Sequence, residues 1–153
     1  MIKKIYDVLR VKYDYTDIIF RCMFSLIFLG LGAEHLVQDE LIQKLMPEWL
    51  PFKRGFSIIA GIILLTGGAS IVLGYKTRAG ATLLGLFLIA VTLLIHIPGL
   101  FIKPNIHEDT IWIWDILQRS NLVKNLCLLG VCIHLINHRL GKYSLDHYLK
   151  KTP

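Results

Sequence analysis

Apolar residues in this chain are gathered into long uncharged runs, and the charged residues sit in short segments between them. The runs cover residues 18–37, 56–73, 79–101 and 122–137, the last being the shortest. A helix needs about 20 mostly apolar residues to cross the hydrocarbon of a bilayer, and the runs are close to that length. Inside hydrocarbon the backbone N–H and C=O groups have no water to bond, so each run must close its hydrogen bonds within itself as a helix. The pattern predicts an all-α membrane protein. It is a four-transmembrane-helix bundle over residues 18–137, with an N-terminal tail over 1–17 and a C-terminal tail over 138–153.

The connecting segments differ in character. Gly74, Tyr75, Lys76, Thr77 and Arg78 form a link short enough to be a tight turn, which makes the second and third spans an antiparallel pair. Residues 38–54 form a longer amphipathic connection with Pro47, Trp49 and Pro51. Trp49 there suits the interfacial belt where aromatic rings meet the headgroups. Residues 102–121 carry Trp112 and Trp114 among Ile111, Ile113, Ile116 and Leu117. That composition predicts a short amphipathic outer-loop helix, lying on the bundle or in the headgroups. Ser57 and Gly61, Ser70 and Gly74, and Ala81 and Gly85 are small residues four apart, and Gly67 and Gly68 lie within the second span. Small residues let helix backbones approach closely in a membrane, so packing of the bundle is the expectation for them.

Composition agrees with this reading. The chain is 54% hydrophobic and 18% charged, with a mean hydropathy of +0.56. A soluble domain has about 45–50% apolar and about 25% charged residues. The net charge of +6 raises the question of nucleic acid. The basic residues flank the apolar runs, however, where they set topology and meet anionic headgroups. The partner expected is therefore the lipid bilayer and not nucleic acid.

With four spans, both tails and the 74–78 turn share one side. That side holds 11 Lys/Arg: Lys3, Lys4, Arg10, Lys12, Arg21, Lys76, Arg78, Arg139, Lys142, Lys150 and Lys151. The other holds 6: Lys44, Lys53, Arg54, Lys103, Arg119 and Lys124. The positive-inside rule then puts both termini in the cytoplasm, for a multi-pass protein of the inner (cytoplasmic) membrane. Residues 1–17 mix charges of both signs, and no small-residue cleavage site follows the first run. That run is expected to stay as a span rather than be removed as a signal. Cys22, Cys127 and Cys132 lie inside the spans and form no C-x-x-C pair, so they are expected to serve packing.

Ionisable groups inside a membrane are costly and point to function by default. Glu34 and His35 lie near the outer end of the first span, and His96 near the outer end of the third. His35 stands about 21 Å above Arg21, and His96 about 27 Å above Arg78, at 1.5 Å per helical residue. His107, Glu108 and Asp109 fall in the facing loop, and Lys124 and Asn125 open the fourth span at the same level. Glu34, His35, His96, Lys124 and Asn125 thus form a candidate ligand-binding cluster at one depth.

Three readings are open for this cluster. It can receive a quinone headgroup, whose carbonyls need hydrogen-bond donors and whose reduction needs protons, both suited to histidine. Glu34, His35, His96 and His107 can ligate a divalent metal. Glu34 and His35 point about 100° apart on a helix, which counts against one shared ion, and no metal is expected. The same groups can also be structural, with each His bonded to a carbonyl on a neighbouring helix. Pro98 lacks an N–H and leaves the Leu94 carbonyl without its helical partner, so a kink is expected to open space beside His96. Arg21 and Arg78 are expected to snorkel to the headgroups, and His134 and His138 have no assigned role. Phosphate-binding glycine loops, G-x-S-x-G and H-E-x-x-H do not occur, so no soluble-enzyme chemistry is indicated.

Residues 21–36 (RCMFSLIFLGLGAEHL) combine an initial Arg, midway glycines and a polar end. Residues 46–84, from Met46-Pro47 to Leu84, add Leu50-Pro51, a Gly-rich second span ending at Gly74, and the turn at Thr77-Arg78. His96-Ile97-Pro98 and residues 124–130 follow in the later spans. In these features the chain resembles the DoxX-like family of small membrane proteins over most of residues 20–136. The resemblance implies a four-helix membrane bundle. The family is named for a subunit of an archaeal thiosulfate:quinone oxidoreductase. Some relatives are linked to membrane redox complexes, and more distant ones to assembly or trafficking of other membrane proteins. The expectation is an accessory subunit of a redox or quinone-linked membrane complex, with quinone as the cofactor class and membrane redox proteins or further copies of the chain as partners. The alternative is a non-catalytic scaffold or assembly factor.

Overall fold

The computed structural model describes residues 2–47, 49–102, 109 and 111–150, and for residues 2–11, 39, 41 and 45 only the backbone. The elements are α1 (Ile2–Val37), α2 (Asp39–Leu45), α3 (Lys53–Leu73), α4 (Thr77–Val91), a π-helical turn (Thr92–His96), α5 (Ile97–Phe101), α6 (Ile111–Asn137) and α7 (Leu145–Leu149). Four stretches are long and apolar enough to cross a membrane: Lys12–Val37, Lys53–Leu73, Thr77–Phe101 and Ile111–Asn137. The shortest has 21 residues, about 31 Å of helix, which matches the roughly 30 Å of bilayer hydrocarbon.

The helices pack in succession, α1 on α3, α3 on α4 and α4 on α6. One core joins all four, with Phe24 and Phe28 from α1, Leu64 and Ile71 from α3, Leu84 and Leu88 from α4, and Cys132 and Leu135 from α6. Phe24 and Phe28 meet edge to face at 5.1 Å. Outward faces are as apolar as the core, with Met23, Leu26, Leu86 and Ile133 all exposed. Contiguous exposed apolar surface on this scale suits lipid and not water.

Glycines set the spacing of these contacts. A Cβ on Gly67 would stand 2.5 Å from Leu84 Cγ, and one on Gly61 would stand 3.0 Å from the Gly32 carbonyl. The link between α3 and α4 turns on Gly74, whose φ of +64° is open to glycine at little strain. Its N–H bonds the Ile71 carbonyl at 3.1 Å and the Tyr75 N–H bonds the Ser70 carbonyl at 3.0 Å. This double bond pattern is the Schellman end of a helix.

Several boundaries differ from the sequence expectation. Residues 2–17 continue α1 as helix, and Asp14 and Asp17 within it are buried against the C-terminal segment. Residues 111–117 do not form a separate surface helix. They are the first turns of α6, which reaches from Ile111 to Asn137 and so lengthens the fourth span. Trp114 anchors that extension by donating its indole N–H to the Gly99 carbonyl at 2.9 Å. The short helix outside the spans is instead α2, in the first long connection. Of the cysteines, Cys132 is buried in the core, while Cys22 and Cys127 are exposed on the apolar faces.

Arg21 also departs from expectation. It does not snorkel; it is fully buried. Its Nε donates to Asp17 Oδ2 at 3.1 Å, one terminal nitrogen to the Val72 carbonyl at 2.6 Å, and the other to the Tyr143 carbonyl at 2.8 Å. Asp17 in turn accepts from the Gly141 N–H at 3.1 Å and lies 2.7 Å from His138 Nε2. A buried charge is tolerable only when paired and hydrogen-bonded, and here the partners lie too close for the side chain to gain by reaching for headgroups. His138, with no role expected from its position, thus closes a buried network at the end of the bundle that holds the α3–α4 turn. Arg78 is exposed, as an interfacial anchor would be.

Candidate functional site

At the opposite end of the bundle a partly open cavity of about 210 Å³ lies between the helices. His35 reaches it from α1, His96 from the π turn, and Gln118, Asn121, Lys124 and Asn125 from α6. Phe28, Leu64, Phe87 and Leu88 line the apolar floor, and Ile42 and Met46 in and after α2 form a wall on the connection side. Four of the five expected cluster residues, His35, His96, Lys124 and Asn125, therefore share one cavity. Glu34 does not join them. It is exposed on α1 and outside the lining, because consecutive helical residues point about 100° apart. His107 and Glu108 lie outside the described residues, and Asp109 is exposed. Among the described residues, no three His, Cys, Asp or Glu side chains come together as metal ligands would.

Hydrogen bonds orient the polar wall. The Ser57 hydroxyl donates to the His35 carbonyl at 3.2 Å, so its oxygen accepts from His35 Nδ1 at 3.0 Å. His96 Nδ1 donates to Gln118 Oε1 at 2.8 Å. A neutral imidazole has one N–H, so both rings then keep Nε2 as an acceptor. The Lys124 ammonium donates to Asn121 Oδ1 at 2.8 Å and keeps two further N–H groups. Asn125 Nδ2 donates to Thr92 Oγ1 at 3.1 Å.

The third span reaches this wall through an irregularity. Instead of a simple proline kink, the helix widens to π pairing over Thr92–His96, and the Ile97 N–H bonds back to the Thr92 carbonyl. Single π turns often occur at functional sites. Here the turn brings Thr92, Ile95 and His96 toward α6 and the cavity, just before Pro98. Three contacts tie the two helices in antiparallel register: Thr92 with Asn125, His96 with Gln118, and Gly99 with Trp114. Gly99 must be small, since a Cβ there would stand 2.8 Å from Gln118 Cδ.

Gln118, Asn121 and Thr92 had no place in the sequence reading, and Ser57 appeared only as a packing residue. A usable signal was present. Gln118, Asn121 and Asn125 are three and four residues apart, the spacing of one helical face. It was hidden because residues 102–121 read as a separate surface segment.

A family model described as DoxX matches residues 16–97. No curated protein and no solved structure matches the chain. The matched stretch runs through the first three spanning helices, includes both His35 and His96, and stops before the polar face of α6. It covers more than half of the 153 residues, and the protein belongs to the DoxX family.

Proposed function

We propose that this protein is an accessory subunit of a quinone-linked membrane complex, and that the cavity receives the quinone headgroup. The observation that carries the reading is the gathering of polar groups from α1, the π turn and α6 on one partly open, otherwise apolar cavity. Pockets that bury drug-sized ligands have about 300–1,000 Å³. At about 210 Å³ this one suits a single ring with its tail left in the lipid. The residues fit such a group. The Lys124 ammonium and the amides of Asn121 and Asn125 are donors suited to ring carbonyls, and the two Nε2 atoms are acceptors suited to ring hydroxyls. A quinone bound there would supply two-electron, two-proton chemistry. The chain's own groups hold the ring and exchange protons with it at His35 and His96. In this proposal both termini are cytoplasmic and the cavity lies in the outer leaflet of the inner membrane, as the basic-residue asymmetry favours.

Purified protein titrated with a short-chain quinone should show saturable quenching of tryptophan fluorescence. Lys124→Ala should weaken quinone binding about tenfold, through the loss of a charged donor to a ring carbonyl, and His96→Ala should weaken binding of the corresponding short-chain quinol by a similar factor, through the loss of an acceptor for a ring hydroxyl. Saturable binding unchanged in both variants would defeat the proposal. Reporter fusions after Asn105 and after Pro153 test the orientation, which fails if Asn105 reports from the cytoplasm or Pro153 from outside.

The scaffold reading has its own support. Each polar side chain in the wall already has an internal partner, as a purely structural set would. Co-purification that recovers a client membrane protein, with no quinone binding in the titration, favours that role.

A further inference from the structure

Lys124 lines the cavity at the His35 end of the bundle. It stands thirteen residues from either end of α6, about 20 Å at 1.5 Å per residue. Lysines that snorkel to headgroups stand near the ends of their spans. This one is held half-buried within the span, on the cavity wall. Its ammonium donates to Asn121 Oδ1 at 2.8 Å and keeps two further N–H groups. Asn121 is a neutral amide, so this bond satisfies one N–H and leaves the charge unbalanced.

No described residue that lines the cavity is acidic. Glu34 is exposed on α1 and outside the lining. Asp115 lies nine residues away along α6, about 14 Å. Asp14 and Asp17 pair with Lys142, Arg21 and His138 at the opposite end of the bundle. The other polar groups of the wall, His35, His96, Gln118, Asn121 and Asn125, carry no negative charge. A cation held away from water is costly without a counter-ion. Charged groups inside membranes face a cavity or a partner and mark the sites of substrates. Phe28, Leu64, Phe87 and Leu88 make the floor apolar, so the counter-ion that fits is an oxyanion on an apolar body.

We propose that the cavity takes its ligand as an anion, a negatively charged oxygen on an apolar body, with Lys124 as the counter-ion. The proposal rests on the reading of this cavity as a ligand site and adds to it the charge of the ligand. Two sources share the chemistry: the ring oxygen of an ionised hydroxyquinone and the carboxylate of a fatty acid. With either, the Lys124 ammonium donates charge-assisted hydrogen bonds to the anionic oxygen. The apolar body then lies against Phe28, Leu64 and Phe87.

The full chain in an uncharged detergent at neutral pH is titrated with 2-hydroxy-1,4-naphthoquinone, an anion there, and with its neutral 2-methoxy ether. Binding is followed by tryptophan quenching against detergent alone, and octanoate and octanol are then added as competitors. The hydroxy compound should bind at least tenfold tighter than the ether. Lys124→Gln should remove that preference and Lys124→Arg should keep it, while Arg78→Gln at the other end changes nothing. Should Lys124→Gln not fold, Lys124→Met carries the same comparison. Displacement by octanoate below the concentration of the ring compound, but not by octanol, assigns a fatty carboxylate and counts against the quinone reading alone. Weak or no displacement by octanoate assigns the ring oxyanion. Equal binding of the two ring compounds overturns the proposal and leaves the quinone reading standing. A preference that survives removal of the Lys124 charge also overturns it, and no saturable binding of either ring compound overturns both.

Discussion

Arg21 shows how one residue's role follows from its neighbours. In the sequence it is a basic residue at the start of an apolar run, where a side chain can reach the headgroups. In the fold, Asp17 one turn away and the carbonyls of Val72 and Tyr143 surround it completely. Removing one partner of a buried pair leaves an uncompensated charge and costs about 3–5 kcal/mol. Arg21→Gln should therefore lower the unfolding free energy by about that much, and a denaturant midpoint close to that of the unaltered protein would contradict the buried network. Gly99 has the reverse problem of too little room. Gly99→Ala places a methyl against Gln118, an overpacking that costs about 1–3 kcal/mol. It should also weaken short-chain quinone binding, because Gln118 holds the His96 ring.

Between elements, close approach decides the outcome. α3 is glycine-rich along the sides that meet α1 and α4, and Leu84 of α4 fills the space where a Gly67 side chain would be. Leu84 is fully buried and has nowhere to move. Gly67→Val should destabilise the bundle by about 1–3 kcal/mol or more, measured as a lower thermal midpoint in detergent. Gly85→Ala is the control, since its added Cβ would meet only ordinary contacts at 3.6 Å. Of the small residues singled out in the sequence, Gly61, Gly67 and Gly68 meet neighbouring spans closely, whereas Gly74 turns the chain and Gly85 has only ordinary contacts. The sequence did not show the π turn at Thr92–His96. Its cause is tertiary: Thr92 and His96 bond to Asn125 and Gln118 on α6, and the wider turn lets both reach.

At the scale of the whole molecule, the segment after α6 is part of the fold. Gly141 and His138 reach Asp17, Lys142 donates its backbone N–H to Asp14 at 2.9 Å, and the Asp146 N–H reaches the Gly74 carbonyl at 3.0 Å. Ending the chain at Asn137 should lower the thermal midpoint. Combined with Arg21→Gln, the two losses should fall short of their sum, because they break one network and coupled sites are not additive. Full additivity in a double-mutant comparison would show that the two are independent. The sequence alone determined the number of spans, their helical form and the antiparallel α3–α4 pair. Hydrocarbon leaves the backbone no other way to satisfy its hydrogen bonds, and the apolar runs state where it must do so. It also placed His35, His96, Lys124 and Asn125 at one depth, since rise per residue is a fixed property of a helix. Which of these groups face one another was decided only by tertiary structure. Glu34 differs from His35 by one residue and about 100° of rotation, and the rotation of each helix is set by the packing of Gly61, Gly67 and Gly99 against their neighbours. The burial of Arg21 and the inclusion of Gln118 in the cavity wall were decided in the same way, by contacts between residues far apart in the chain.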